Sequence, residues 1–218
     1  MAELRSVTID VVSDVICPWC FIGKRRMEKA LAELAGEIDV EVSWLPFQLN
    51  PDMPAEGRER AEYRKAKFGS LEKSRQLDAR VAAEAAGEGL AFAFDRMERT
   101  PNTFAAHQLI DLAQEEGSGA EVVEALFSAY FLEARDIGDR EVLTAIGEAA
   151  GLERDLIEQR WANKTEAQRL AREERSMRDL GISGVPTFII ADRYGVSGAQ
   201  PPDVLVQAIR EAAEKGEV

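Results

Sequence analysis

Residues 6–14 read SVTIDVVSD, with apolar Val7, Ile9 and Val11 alternating with Thr8 and Asp10. β-Branched residues dominate, and the pattern predicts a strand. The period then changes. After Cys17-Pro18-Trp19-Cys20, the residues Ile22, Met27, Ala30, Leu31 and Leu34 fall on one face of a helix from Phe21 to Ala35. Pro18 suits the first turn, where its missing N–H is no loss, and Gly36 suits the stop. Ile38 to Phe47 alternates again, Val40, Val42 and Trp44 against Glu41 and Ser43. Strand, helix and strand form a βαβ unit, whose crossover is right-handed. Pro46, Pro51 and Pro54 predict a loop from Pro46 to Gly57.

From Arg58 to Trp161 the chain is rich in Ala, Glu, Leu and Arg. Three groups have helical spacing: Phe104, Leu109 and Leu112 on a helix opened by Pro101; Val123, Leu126, Phe127, Tyr130 and Phe131; and Leu152, Leu156, Ile157 and Trp161. Roughly four to six helices are expected in this block. Gly89 to Asp95 (GLAFAFD) alternates like a short extended segment. Helix returns from Lys164 to Leu180. A strand over Gly184–Ile190 starts at Pro186, a turn follows at Asp192–Gly195, and a short strand begins at Val196. The last helix carries Leu205, Ala208, Ile209 and Ala212 on one face. The fold class is therefore α/β: a βαβ half and a ββα half enclose a block of helices. Residues 1–57 and 164–218 form one domain, and 58–163 an inserted helical domain.

Composition changes this picture little. Of 218 residues, 45% are hydrophobic and 31% charged, enough to bury a core. The net charge of -13 repels phosphate backbones and anionic lipid, so neither nucleic acid nor a membrane is an expected partner. The chain has no apolar run near the roughly 20 residues of a membrane helix. Its first residues lack the basic and apolar regions of a signal peptide. A cytoplasmic location is expected, although a mature form without its leader would read the same.

Two cysteines cannot make a disulfide scaffold, and Cys17 and Cys20 stand three apart between a strand and a helix start. Only a thiolate attacks a disulfide. The N-terminal end of a helix, with unpaired N–H groups and the positive end of the dipole, favours that anion on Cys17. Cys20, one turn on, can reach the same sulfur and resolve a mixed disulfide. Pro18 and Trp19 add no charge, which predicts milder oxidising power than a CPHC site has. A four-ligand zinc site of Cys and His is excluded within one chain, because His107 is the only histidine. No metal is expected.

Val185-Pro186 follows Gly181 and Gly184. Locally it reads either as a strand-initiating trans proline or as a cis proline facing the cysteines. Trp19 either steers substrate or covers the site. His107 reads as a structural histidine or a general acid. Asn102 and Thr103 read as a helix cap and first turn, with Asn102 a weak substrate-contact candidate. Lys24, Arg25 and Arg26 lend positive field to Cys17 or form a solvated face.

The strand, CPWC, helix, helical insertion and GVPTF together resemble the DsbA family of thioredoxin-fold oxidoreductases. SDVICPWCFIGKRR, RTPNTFAAHQL, ALFSAYFLEARDIGD, GISGVPTF and YGVSGAQ are similar to its FrnE-like branch. The resemblance covers nearly the whole chain. It implies a thioredoxin-like fold, Cys17 as nucleophile, Cys20 as resolving cysteine, and a cis Pro186 lining a partner groove with Val185. Partners would be protein or small-molecule thiols and disulfides. No cofactor is implied beyond the redox-active pair, with glutathione as a candidate co-substrate; a homodimer is left open. Some relatives carry a second cysteine pair near the C-terminus, which this chain lacks. Related 2-hydroxychromene-2-carboxylate isomerases and kappa-class glutathione transferases typically use one Ser at the nucleophile position. A glutathione-dependent isomerase or transferase is thus the alternative, and the retention of both cysteines favours disulfide exchange.

Overall fold

The first strand, β1 (Arg5–Ser13), buries Val7, Ile9 and Val11 and exposes Thr8, as its alternation predicts. It then buries Val12 and Ser13 as well, because it is an inner strand of the sheet. The computed structural model describes residues 5–215. Within them the chain divides into two units: residues up to Phe47 with those from Glu173 on, and Gln48–Arg172.

In the first unit, β2 (Ile38–Pro46) runs parallel to β1, β5 (Thr187–Ile190) antiparallel to it, and β6 (Tyr194–Ser197) antiparallel to β5. The sheet order is β2-β1-β5-β6. Pro46 ends β2 within the ladder, opposite Ser13, so the loop begins one residue later than the prolines suggest. An edge strand tolerates the missing donor. Helix α1 (Pro18–Leu34) joins β1 to β2, and α9 (Pro202–Lys215) packs on α1 and β1. The β5–β6 turn lies earlier than its composition suggests. Ala191 and Asp192 both have positive φ, +50° and +54°, and Arg193 N–H donates to the Ile190 carbonyl across 3.1 Å. This is the left-handed pair that matches strand twist in a tight hairpin, and it leaves Tyr194 and Gly195 inside β6.

The second unit is mostly helical: α2 (Arg60–Phe68), α3 (Leu71–Gly87), α4 (Phe104–Glu115), α5 (Gly119–Phe127), α6 (Arg140–Ala149), α7 (Arg154–Ala162) and the first part of α8 (Lys164–Asp179). Helix α5 runs on into a π-helical turn, Ser128–Leu132. Leu109, Leu112, Val122, Leu126, Phe127, Phe131, Ile137, Leu143 and Ile157 form its core. A two-residue ribbon, β3 (Arg58–Glu59) with β4 (Arg99–Thr100), is too short to show periodicity in sequence. Gly89–Asp95 is not a strand. Its alternation instead places Phe92 and Phe94 against Phe131, at centroid distances of 4.8 and 6.2 Å, while Ala93 N–H donates to the Phe131 carbonyl. Among the described residues, no helix is long and apolar enough to cross a membrane.

Candidate active site

Cys17 is the N-cap of α1, with extended backbone (φ −88°, ψ 112°), and Pro18 follows in the first turn. The turn is braced at both ends: Cys17 N–H donates to the Asp14 carbonyl (2.9 Å), and Cys20 N–H to the Cys17 carbonyl (3.0 Å). The first turn carries no acidic side chain to offset the positive end of the helix dipole. Both cysteines are free thiols. Cys17 is 5% exposed and Cys20 1%, whereas Trp19 between them is 38% exposed.

The second half of the chain reaches this turn through sheet register. Val12 stands opposite Thr187 in the β1–β5 ladder, so the residues just before β5 come beside those just after β1. The Val185-Pro186 peptide is cis, and the Cys17 thiol donates to the Val185 carbonyl across 3.6 Å. The same loop is tied by Gly198 N–H to the Pro186 carbonyl (2.8 Å) and by Thr187 Oγ1 to the Gly184 carbonyl (2.9 Å).

Beneath the pair lie Ser13 and Asp14, 5% and 0% exposed, which residue pattern alone had not singled out. Burial pushes the Cys20 thiol well above the ordinary cysteine range, and neighbouring Cys17 adds to this; the Ser13 hydroxyl and the Asp14 backbone N–H act in the opposite sense. A polar residue closing an otherwise apolar strand end was the available signal.

The basic run after the pair is not a solvated face. Lys24 is 6% exposed and pairs with Glu28. Arg25 pairs with Glu28 at 2.9 Å and stacks over Phe21. Arg26 donates to the Ala199 carbonyl at 2.6 Å. Amphipathic long side chains cover apolar surface while reaching a polar partner.

Asn102 and His107 belong to the other unit. The Asn102 side chain donates to the Met53 carbonyl (2.7 Å) and accepts from Phe104 N–H (2.9 Å). It therefore fastens the start of α4, which opens at Phe104 and not at Pro101; Thr103, the N-cap, makes no side-chain cap. His107 is buried on α4 at 4% exposure. In the same unit the carboxylates of Asp111, Glu115 and Glu166 come within 4.8 Å of one another, but Arg160 and Arg169 bind them as ion pairs.

The sequence profile of the DSBA-like thioredoxin domain matches residues 8–210. The chain belongs to this family. As a DSBA-like protein it is 31% identical over 216 residues to the uncharacterized protein YwbO of Bacillus subtilis (strain 168), covering 96% of this chain and 99% of that one. Its structure is similar to that of a probable DsbA oxidoreductase, SCO1869 from Streptomyces coelicolor. There the identity is 34%, the coverage 97% of this chain and 91% of that one, and the TM-score 0.85. The cytosolic disulfide reductase DsbM from Pseudomonas aeruginosa, solved with GSH, shares the fold at 20% identity and a TM-score of 0.59, over 96% and 97% of the two chains. The DSBA-like fold is thus the thioredoxin-like one, with helices inserted between its βαβ and ββα halves.

Proposed function

We infer that this chain is a thiol–disulfide oxidoreductase working through Cys17 and Cys20 on protein or small-molecule partners in the cytoplasm. The observation that carries this reading is the pair itself: Cys17 is the N-cap residue of α1, Cys20 lies one turn on, and the Cys17 thiol donates to the Val185 carbonyl. Such an arrangement performs two displacements. Cys17, as thiolate, attacks one sulfur of a partner disulfide; a Cys17–partner bond forms, and the other partner sulfur leaves and takes a proton. Cys20 then loses its proton and attacks the Cys17 sulfur. The Cys17–Cys20 bond forms, the mixed bond breaks, and the partner leaves as a dithiol. Two electrons have passed from the pair to the partner; the reverse sequence oxidises a dithiol.

Val185 and Pro186 line the partner side of Cys17 in this reading, and Trp19 offers exposed aromatic surface beside it. Glutathione is a fitting small thiol for the same exchange, as a co-substrate and not a resident cofactor. Asn102 and His107 take no step here, since Asn102 is engaged in fastening α4.

Reduction of insulin tests the proposal. Cys17→Ser is expected to abolish it, and Cys20→Ser to accumulate mixed disulfides. Glutathione-dependent turnover that survives loss of Cys20 would instead establish the isomerase or transferase alternative.

A further inference from the structure

Gly23 lies in the interior of α1, buried, six residues after Cys17 and three after Cys20. Its backbone φ is not positive, so no conformational need calls for glycine, and an interior helical glycine is less favourable than alanine. Space explains it. A Cβ at this position would stand 2.9 Å from Pro186 Cγ, 3.3 Å from Phe188 Cζ and 3.6 Å from Pro186 Cβ. Phe188 is fully buried and sits in the ladder opposite Val11 and Val196, so it cannot retreat. Pro186 precedes β5 and is the part that can yield. Its ring nitrogen is bonded directly to the Val185 carbonyl carbon, whose oxygen faces Cys17.

We propose that Gly23 is a positioning residue: its bare backbone seats the Pro186 ring, and that seat holds the Val185 carbonyl over the Cys17 sulfur. The proposal rests on the functional reading above only for its catalytic consequence. A side chain at 23 lifts the Val185-Pro186 peptide by the few tenths of an ångström that the clash requires. The 3.6 Å thiol–carbonyl contact then opens, and the sulfur, 5% exposed in the native protein, is uncovered.

The test compares Gly23→Ala with the native residue in a Cys20→Ser background, by the rate of Cys17 alkylation with iodoacetamide at one fixed pH. Opening this contact removes one hydrogen bond and part of the sulfur's cover, so alkylation is expected to speed about threefold or more. In the two-cysteine protein, the KM for insulin is expected to rise by a similar factor. Both effects shrink when Pro186→Ala removes the ring atom that clashes, the coupling expected of residues in contact. A folded Gly23→Ala protein whose alkylation is unchanged or slower overturns the proposal, and so does an effect of equal size in both backgrounds. If Gly23→Ala does not fold, the double variant with Pro186→Ala decides: recovered folding supports the seat, and continued failure refutes it. Because alkylation requires no turnover, absence of insulin reduction in the native protein counts against the functional reading and leaves this test intact.

Discussion

The carbonyl of Val185 accepts the thiol hydrogen of Cys17 across 3.6 Å, joining residues 168 positions apart. Each end of that contact is held by its own element, Cys17 by the start of α1 and Val185 by the loop that enters β5. The pair is therefore sensitive to changes in either half of the first unit, and the loop side is where a partner would approach.

The reduction potential of the Cys17–Cys20 pair follows from what stands between the sulfurs. Pro18 and Trp19 contribute no positive charge to stabilise the reduced form's anion. The potential measured in glutathione buffers is expected to lie below that of the most oxidising family sites, about -120 mV. A value at that extreme would contradict this.

Ser13→Ala should slow the second displacement. Burial raises the Cys20 pKa and the Ser13 hydroxyl opposes the rise, so losing the hydroxyl raises it further. The hydroxyl has no hydrogen-bond partner while Cys20 is a thiol and is placed to donate to the Cys20 thiolate; one such bond of about 1 kcal/mol corresponds to roughly fivefold. Reaction with a chromogenic aryl disulfide separates the steps. Release of the first thiol reports Cys17 and stays unchanged. Release of the second slows about fivefold near neutral pH and recovers as pH rises, and Ser13→Thr restores it.

Asp10 on β1 has its pKa raised by burial first and by Asp192 second. The folded state thus holds this proton more tightly than the unfolded state does. Its stabilising share is fully present below the unfolded value of 3.8 and is lost as pH rises through the higher folded value. Asp10→Asn is therefore expected to raise the melting temperature at pH 7 and to change nothing in strongly acidic buffer. The side chain is partly exposed and screened, so the rise is about 1 °C, within a few tenths of a kcal/mol. Calorimetry at both pH values measures it.

Gly57→Ala should destabilise the second unit. Gly57 has φ +70°, and a Cβ there would meet the Thr100 carbonyl oxygen at 2.7 Å and Pro101 Cα at 3.1 Å. Both are backbone atoms, Thr100 in the strand that pairs with β3 and Pro101 directly after it, so neither can swing aside. Left-handed strain and the clash together cost about 1–3 kcal/mol, readable as a lower urea midpoint with an unchanged slope.

Much of the first unit was legible from residue order. The alternation of Val7, Ile9 and Val11 and the Cys-Pro start of α1 are local signals, written within a few residues of where they act. The second unit was legible as helices but not at its joints. Asn102 fastens α4 from one residue before the cap, Phe92 and Phe94 alternate without pairing as a strand, and Lys24 is buried in a run that reads either as a source of positive field at Cys17 or as a solvated face.

Taken alone, the residue order determined the strand, the helix that follows it, the sulfur pair at their junction and the block of helices between the two halves. Each depends on spacing, capping and backbone preference over a few neighbours. Tertiary structure decided which carbonyl meets Cys17, that Ser13 and Asp14 lie under Cys20, and that Gly23 leaves room for Pro186. The Val185–Cys17 and Gly23–Pro186 contacts are products of the β1–β5 register. Pairing between distant strands brings together residues that no local window contains.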